Sequence, residues 1–202
     1  MKTFISLICC IVFISLFNLG FSQNPVSWQK MGNGIYDAEI RTMVSNAEGS
    51  SLYIGTNKAL YEENLNKKSL KRLLQLGGNR VGINDVFVRS QDVNMILAAT
   101  DDGVYQTINS GKSWKKIFSG FDVLSQNCQS IVEYKGIIYA GTLKGLFEKD
   151  EDEKTWAKVK EEFLNSPIYK MKIFEDKFYF ATGTEVFEFD LEDQSASQIF
   201  SL

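Results

Sequence analysis

Leu97-Ala98-Ala99-Thr100-Asp101-Asp102-Gly103-Val104-Tyr105-Gln106-Thr107-Ile108-Asn109-Ser110-Gly111-Lys112-Ser113-Trp114 decides the fold of this 202-residue chain. An apolar run closes on a threonine. Two acidic residues and a glycine make a tight turn, and a second short run leads into a polar turn that ends on tryptophan. The pattern is strand, turn, strand, turn, strand.

The same layout recurs. Leu52-Tyr53-Ile54-Gly55-Thr56-Asn57-Lys58-Ala59-Leu60-Tyr61 precedes it. Ile138-Tyr139-Ala140-Gly141-Thr142-Leu143-Lys144-Gly145-Leu146-Phe147 and Phe178-Tyr179-Phe180-Ala181-Thr182-Gly183-Thr184-Glu185-Val186-Phe187 follow it. The four threonines stand 44, 42 and 40 residues apart. An apolar run precedes each copy (Ile40 to Val44, Ile83 to Val88, Ser130 to Val132, Ile168 to Ile173). Another follows it (Leu70 to Leu73, Trp114 to Phe118, Trp156 to Val159, Gln198 to Ser201). Four strands in each period of about 40 residues predict an all-β chain of four β-propeller blades, near 38–76, 81–119, 127–160 and 167–202. No apolar stripe of helical period interrupts them, so helices should be few. Glycine after the two-residue turn supplies a positive φ. Ala59 and Glu185 take that place in the first and last repeats, so those turns must differ. The small residues before each threonine are expected to let neighbouring backbones approach near the axis. Val26 to Met31 resembles the strands that begin at Trp114 and Trp156, which adds one leading outer strand.

The N-terminus reads as an address. Lys2 is followed by an apolar run from Phe4 to Phe17, and Gly20-Phe21-Ser22 places small residues at a cleavage site between Ser22 and Gln23. Residues 1–22 are therefore expected to be a secretory signal and residues 23–202 the propeller. The product would be extracellular or periplasmic, without a membrane anchor, because the run is short of the ~20 apolar residues of a span. Only Cys128 remains beyond that cut, which excludes an internal disulfide. At a strand position it reads as a small buried apolar side chain.

Composition narrows the chemistry. The chain has no histidine, which removes histidine triads and histidine metal sites. Loss of Lys2 takes the net charge from −3 to −4, and no basic block favours nucleic acid. No cofactor is expected. Asp101-Asp102 and the acidic run Glu148 to Glu153 read as solvated turns rather than Ca²⁺ sites.

Thr107, Asn109, Gly111 and Trp114 match the pattern Ser/Thr-x-Asp/Asn-x-Gly-x-x-Trp. In physical terms this is a hairpin turn: Asn109 accepts from nearby amides, Gly111 takes a left-handed conformation, and Trp114 buries its ring under the hairpin. A decayed copy keeps only Thr155 and Trp156. With the Gly-Thr-x-x-Gly pattern beside it, the stretch from Trp28 to Leu202 resembles the sialidase-like BNR/Asp-box propellers. That group includes sortilin ectodomains, xyloglucanases, sialidases and photosystem II assembly-factor-type propellers. The resemblance implies that the box is a structural turn, away from the ligand-binding face.

Three functions compete. The first is a secreted non-catalytic propeller that binds a protein or a glycan. The second is a glycoside hydrolase. The resemblance implies three converging arginines for a sialidase, but only Arg41, Arg72, Arg80 and Arg89 exist, and Arg72 falls on an outer strand. The third is a piece of a larger propeller, an open arc, or half of a homodimeric ring, because four blades plus a leading strand leave unpaired edges; a compact four- or five-bladed closure using the leading strand is the alternative to it.

Overall fold

The computed structural model describes residues 35, 39–77, 81–150, 152–159, 165–175, 177–190 and 195–202, all within the unit Gly32–Leu202. The signal segment, its Ser22–Gln23 cut and the Val26 to Met31 strand lie outside the described residues.

Among the described residues, sixteen strands form four antiparallel sheets, each ordered as a simple meander. Blade 1 holds β1 (Ile40–Ser45), β2 (Ser51–Thr56), β3 (Leu60–Asn64) and β4 (Ser69–Leu74). Blade 2 holds β5 (Ile83–Val88), β6 (Ile96–Thr100), β7 (Gly103–Thr107) and β8 (Lys115–Phe118). Blade 3 holds β9 (Cys128–Tyr134), β10 (Ile137–Thr142), β11 (Gly145–Asp150) and the two-residue β12 (Ala157–Lys158). Blade 4 holds β13 (Lys170–Phe174), β14 (Lys177–Ala181), β15 (Glu185–Asp190) and β16 (Ser195–Ser201). A four-residue helix, α1 (Val123–Gln126), lies between β8 and β9. Each of the sixteen strands expected within the four blades is present. The fourth inner strand begins at Lys170 rather than Ile168, because Ile168 spends its amide on the Thr142 carbonyl of blade 3.

The period-two alternation divides each sheet into two faces, and the cores lie between sheets. Tyr53, Leu60 and Leu73 of blade 1 share one buried cluster with Ile83, Val86, Ile96 and Ala98 of blade 2. Leu97, Ala99, Val104 and Phe118 of blade 2 meet Cys128, Ile131, Ile138, Ala140 and Phe147 of blade 3. Val132, Tyr139 and Leu146 of blade 3 meet Ile168, Met171, Phe178, Phe180 and Phe187 of blade 4. Each blade thus has a forward face toward the next blade and a rear face toward the one before. Cys128 is fully buried in the second of these cores, and burial pushes its thiol pKa up.

The small residue before each threonine acts on side chains rather than on backbone approach at the axis. A Cβ on Gly55 would lie 2.9 Å from Ile83 Cγ2, and one on Gly141 would lie 2.7 Å from Ile168 Cγ2. Both isoleucines lead into the next blade's inner strand. In the remaining internal interface the pair is Ala99 with the smaller Cys128, both in one cluster. One larger partner is matched by one smaller, which keeps the packing volume constant.

The four threonines close the turns that follow them. Thr100 Oγ1 donates to the Gly103 carbonyl at 2.8 Å and accepts from the Asp102 amide at 3.0 Å. Thr142 repeats this with Gly145 and Lys144 at 2.8 and 3.0 Å. Gly103 and Gly145 have φ of +105° and +112°. Where Ala59 and Glu185 replace glycine, neither takes a positive φ. Their amides also donate to Thr56 and Thr182 Oγ1 at 3.0 and 3.1 Å, and the ladder pairs next to these turns are Gly55 with Leu60 and Ala181 with Val186.

Candidate functional site: an axial polar cleft

The inner strands β1, β5, β9 and β13 pack side by side in sequence order. Each begins at the same end of its blade. The meander returns the turn after the second strand to that end and sends the hairpin between the third and fourth strands to the other. The Thr107–Trp114 turn and the axial residues therefore occupy opposite ends of the molecule.

At the hairpin end, the side chains of Thr107 and Asn109 bond within the turn itself. Thr107 Oγ1 donates to Asn109 Oδ1 at 2.9 Å and accepts from the Gly111 amide at 3.0 Å. Asn109 Oδ1 accepts from the Ser113 amide at 2.9 Å, and Gly111 has φ +76°. Trp114 departs from its expected role. Its half-buried ring packs in the core between blades 1 and 2, and its Nε1 donates to the Leu73 carbonyl of blade 1 at 3.0 Å. Trp156 does the same one blade on, donating to the Ile117 carbonyl at 2.7 Å and packing on Phe118 at 4.8 Å. These tryptophans staple successive outer strands. Thr155 is exposed. Asp150 is the residue missed in the decayed copy: its Oδ1 accepts from the Asp152 amide at 3.0 Å, as Thr107 does from Asn109.

At the other end, polar side chains converge from all four blades. An open cleft of about 650 Å³ is lined by Glu39, Ile40 and Arg41 from blade 1, Asn84 and Asp101 from blade 2, Gln129 from blade 3, and Tyr169 and Lys170 from blade 4. Arg41 Nη1 reaches Asp101 Oδ2 at 3.0 Å and Asn84 Oδ1 at 2.7 Å. Asn84 Nδ2 in turn donates to Asp101 Oδ1 at 2.9 Å and to the Cys128 carbonyl at 2.8 Å. The Gly82 amide completes the shell of Asp101 at 2.9 Å.

Beside this cleft, Asp85 ties the four inner strands together. Its carboxylate accepts from Thr42 Oγ1 at 3.4 Å, Ser130 Oγ at 2.7 Å, the Ile131 amide at 3.2 Å and Lys170 Nζ at 2.7 Å. The group is 8% exposed, and burying a carboxylate costs several kcal/mol unless it is paired and hydrogen-bonded. Here donors from β1, β9 and β13 supply that compensation.

The Asp101-Asp102 turn is partly open to solvent, and both of its carboxylates are ion-paired. Asp101 holds Arg41, while Asp102 pairs with Lys116 Nζ at 2.9 Å and accepts from the Tyr105 hydroxyl at 3.1 Å. Burial, that hydrogen bond and the Asp102 charge push the Tyr105 pKa up to about 12. Among the described residues no group of three or more His, Cys, Asp or Glu is placed to hold a metal ion, and no helix is long and apolar enough to cross a membrane. Arg72 lies on outer strand β4, and Arg89 pairs with Glu133 at 2.8 Å; only Arg41 among the described arginines lines the cleft.

No protein-family model matches the sequence, and no curated protein matches it. Solved structures share the fold. The extracellular domain of a hybrid two-component system from B. thetaiotaomicron superposes with TM-score 0.65 at 15% identity, over 85% of this chain and 23% of that one. An auxiliary nutrient binding protein from Bacteroides thetaiotaomicron gives TM-score 0.62 at 11% identity, over 79% and 40%. The GH74 xyloglucanase from Xanthomonas campestris gives 0.64 at 16%, over 79% and 30%. This chain spans less than half the length of each. Its fold is that of β-propeller blades.

Proposed function

We propose that this chain is a secreted, non-catalytic binding module that holds an uncharged glycan in the axial cleft. The observation that carries the reading is the cleft's lining. Both of its cations are already engaged, Arg41 with Asp101 and Lys170 with Asp85. An anionic ligand would have to break these pairs. A polyhydroxylated one can exchange hydrogen bonds with Asn84, Gln129, Glu39 and the outer edge of Arg41. Tyr169, 47% exposed, offers a flat apolar ring for the face of a sugar. The nutrient-binding and xyloglucanase neighbours support the ligand class by analogy of fold alone.

The test is titration of the purified protein with neutral β-linked oligosaccharides, using polygalacturonate as the charged control. Saturable binding of a neutral glycan, weakened by Tyr169→Ala, is expected. Binding of polygalacturonate alone, or of none of the panel, would overturn the reading.

A glycoside hydrolase is the second reading, because Glu39 and Asp101 both line the cleft and two carboxylates are the minimum for that chemistry. Against it, Asp101 already accepts from Arg41, Asn84 and Gly82, which ties its oxygens to structure. Reducing-end release from the bound glycan, abolished by Glu39→Gln, would favour the hydrolase.

A further inference from the structure

We propose that the segment between β8 and β9 carries a second sugar-contacting surface, centred on Phe121, and that the ligand of the axial cleft is therefore an extended polysaccharide chain rather than a single sugar. The inference rests on the glycan reading of that cleft. Its observation is a separate one. Phe121 is 89% exposed, Val123 is 80% exposed, and Leu124 next to them is exposed as well. A contiguous exposed apolar patch marks a contact site, whereas scattered exposed apolar residues need no explanation.

The segment is built to present these side chains. Asp122 and Ser125 form a capping box: the Ser125 amide donates to Asp122 Oδ1 at 2.9 Å, and the Asp122 amide donates to Ser125 Oγ at 3.0 Å. Lys144, in the turn after β10, pairs with Asp122. A Cβ on Gly120 would lie 2.3 Å from the Gln126 nitrogen, so the chain folds back tightly on its own helical turn. Ser125 is buried. The buried Phe147 ring stands 6.5 Å from that of Phe121, centroid to centroid. A platform already ordered in this way has little freedom left to lose when a ligand settles on it.

Position identifies the occupant. β8 is the outermost strand of blade 2 and finishes at the cleft end, while β9 is the innermost strand of blade 3 and starts there. The segment therefore crosses the cleft end from rim to axis. At its inner end Asn127 Oδ1 accepts from Nε2 of Gln129, which lines the cleft. A helical turn and two extended residues put Val123 about 13 Å from Gln129 along the chain. A glycan that fills the cleft and leaves it over this segment lays its next rings on Phe121, whose aromatic face serves as that of Tyr169 does. Asp122 is the one charge between Ser119 and Asn127, and Lys144 neutralises it. The surface thus suits the same uncharged chemistry as the cleft.

Calorimetric titration of cellobiose and cellohexaose, and of mannobiose and mannohexaose, into the full chain tests this. In the series that binds, the hexasaccharide should bind at least tenfold more tightly than the disaccharide. Phe121→Ala should remove that gain and leave the disaccharide Kd unchanged, Phe121→Trp should keep it, and Tyr169→Ala should weaken both lengths. Circular dichroism of the Phe121 variants should match wild type, because the side chain already meets solvent. No gain with length, a gain that survives Phe121→Ala, or an equal loss at both lengths in that variant would overturn the inference and leave the cleft reading standing. Self-association of the wild type that Phe121→Ala abolishes would also overturn it, since the patch would then belong to a second copy. If no sugar of either length binds, both readings fall.

Discussion

The two ends of the blades carry polar networks of similar density and opposite reach. At the hairpin end, the bonds of Thr107, Asn109 and Ser113 span two to four residues of sequence. At the cleft end, the bonds of Arg41, Asp85 and Lys170 span 43 to 85. A short-range network shapes one turn and leaves nothing over for a ligand. A long-range one exists only because four blades converge, and it holds side chains in place with solvent on one side. The difference teaches that the best-preserved motif and the best candidate site need not coincide.

That contrast can be broken by mutation, and Asp85→Ala should have the largest effect. It takes the acceptor from Ser130 Oγ and the Ile131 amide and leaves a buried void, and we expect a loss of about 3 kcal/mol by urea unfolding. A loss under 1 kcal/mol would show that the four inner strands do not depend on that carboxylate. Trp114→Phe removes the bond to Leu73 and part of the ring; a loss of about 2 kcal/mol is expected in the same assay.

Alkaline pH should follow. Burial first, and a neighbouring carboxylate second, push Tyr53 and Tyr139 up to about 12. The folded state thus favours the neutral phenol. Its contribution is complete below pH 10, the unfolded value, and disappears as pH rises through 12. Discounted for partial exposure, it is about 1 kcal/mol per ring. Tyr53→Phe and Tyr139→Phe should flatten the fall in denaturation midpoint between pH 10 and 12. Asn109→Ala should cost about 1 kcal/mol. Arg41→Ala should cost less, since its pair with Asp101 is partly open to solvent.

The blades were legible because repetition exposes them. The threonine spacing, the Gly-Thr pairs and the alternation place all sixteen strands, and they foretell which two turns lack a positive φ. The cleft was not legible. Asn84, Gln129, Tyr169 and Lys170 fit no local pattern, and Asp85 sits in a run that reads as ordinary strand. What joins them is convergence at the axis, a property of blade packing that no window of sequence contains. Arg41 and Asp101 were noticed separately, one as a lone arginine and one as half of an acidic turn, and only the fold pairs them. The staple formed by Trp114 was hidden for the same reason, since its partner Leu73 lies 41 residues back.

The central claim is that ligand binding belongs to the cleft end and not to the hairpin end. Calorimetric titration of one neutral oligosaccharide into wild type, Tyr169→Ala and Asn109→Ala puts it most directly. The account predicts at least a tenfold weaker Kd for Tyr169→Ala and an unchanged Kd for Asn109→Ala. An unchanged Kd for Tyr169→Ala together with a weakened one for Asn109→Ala would contradict it.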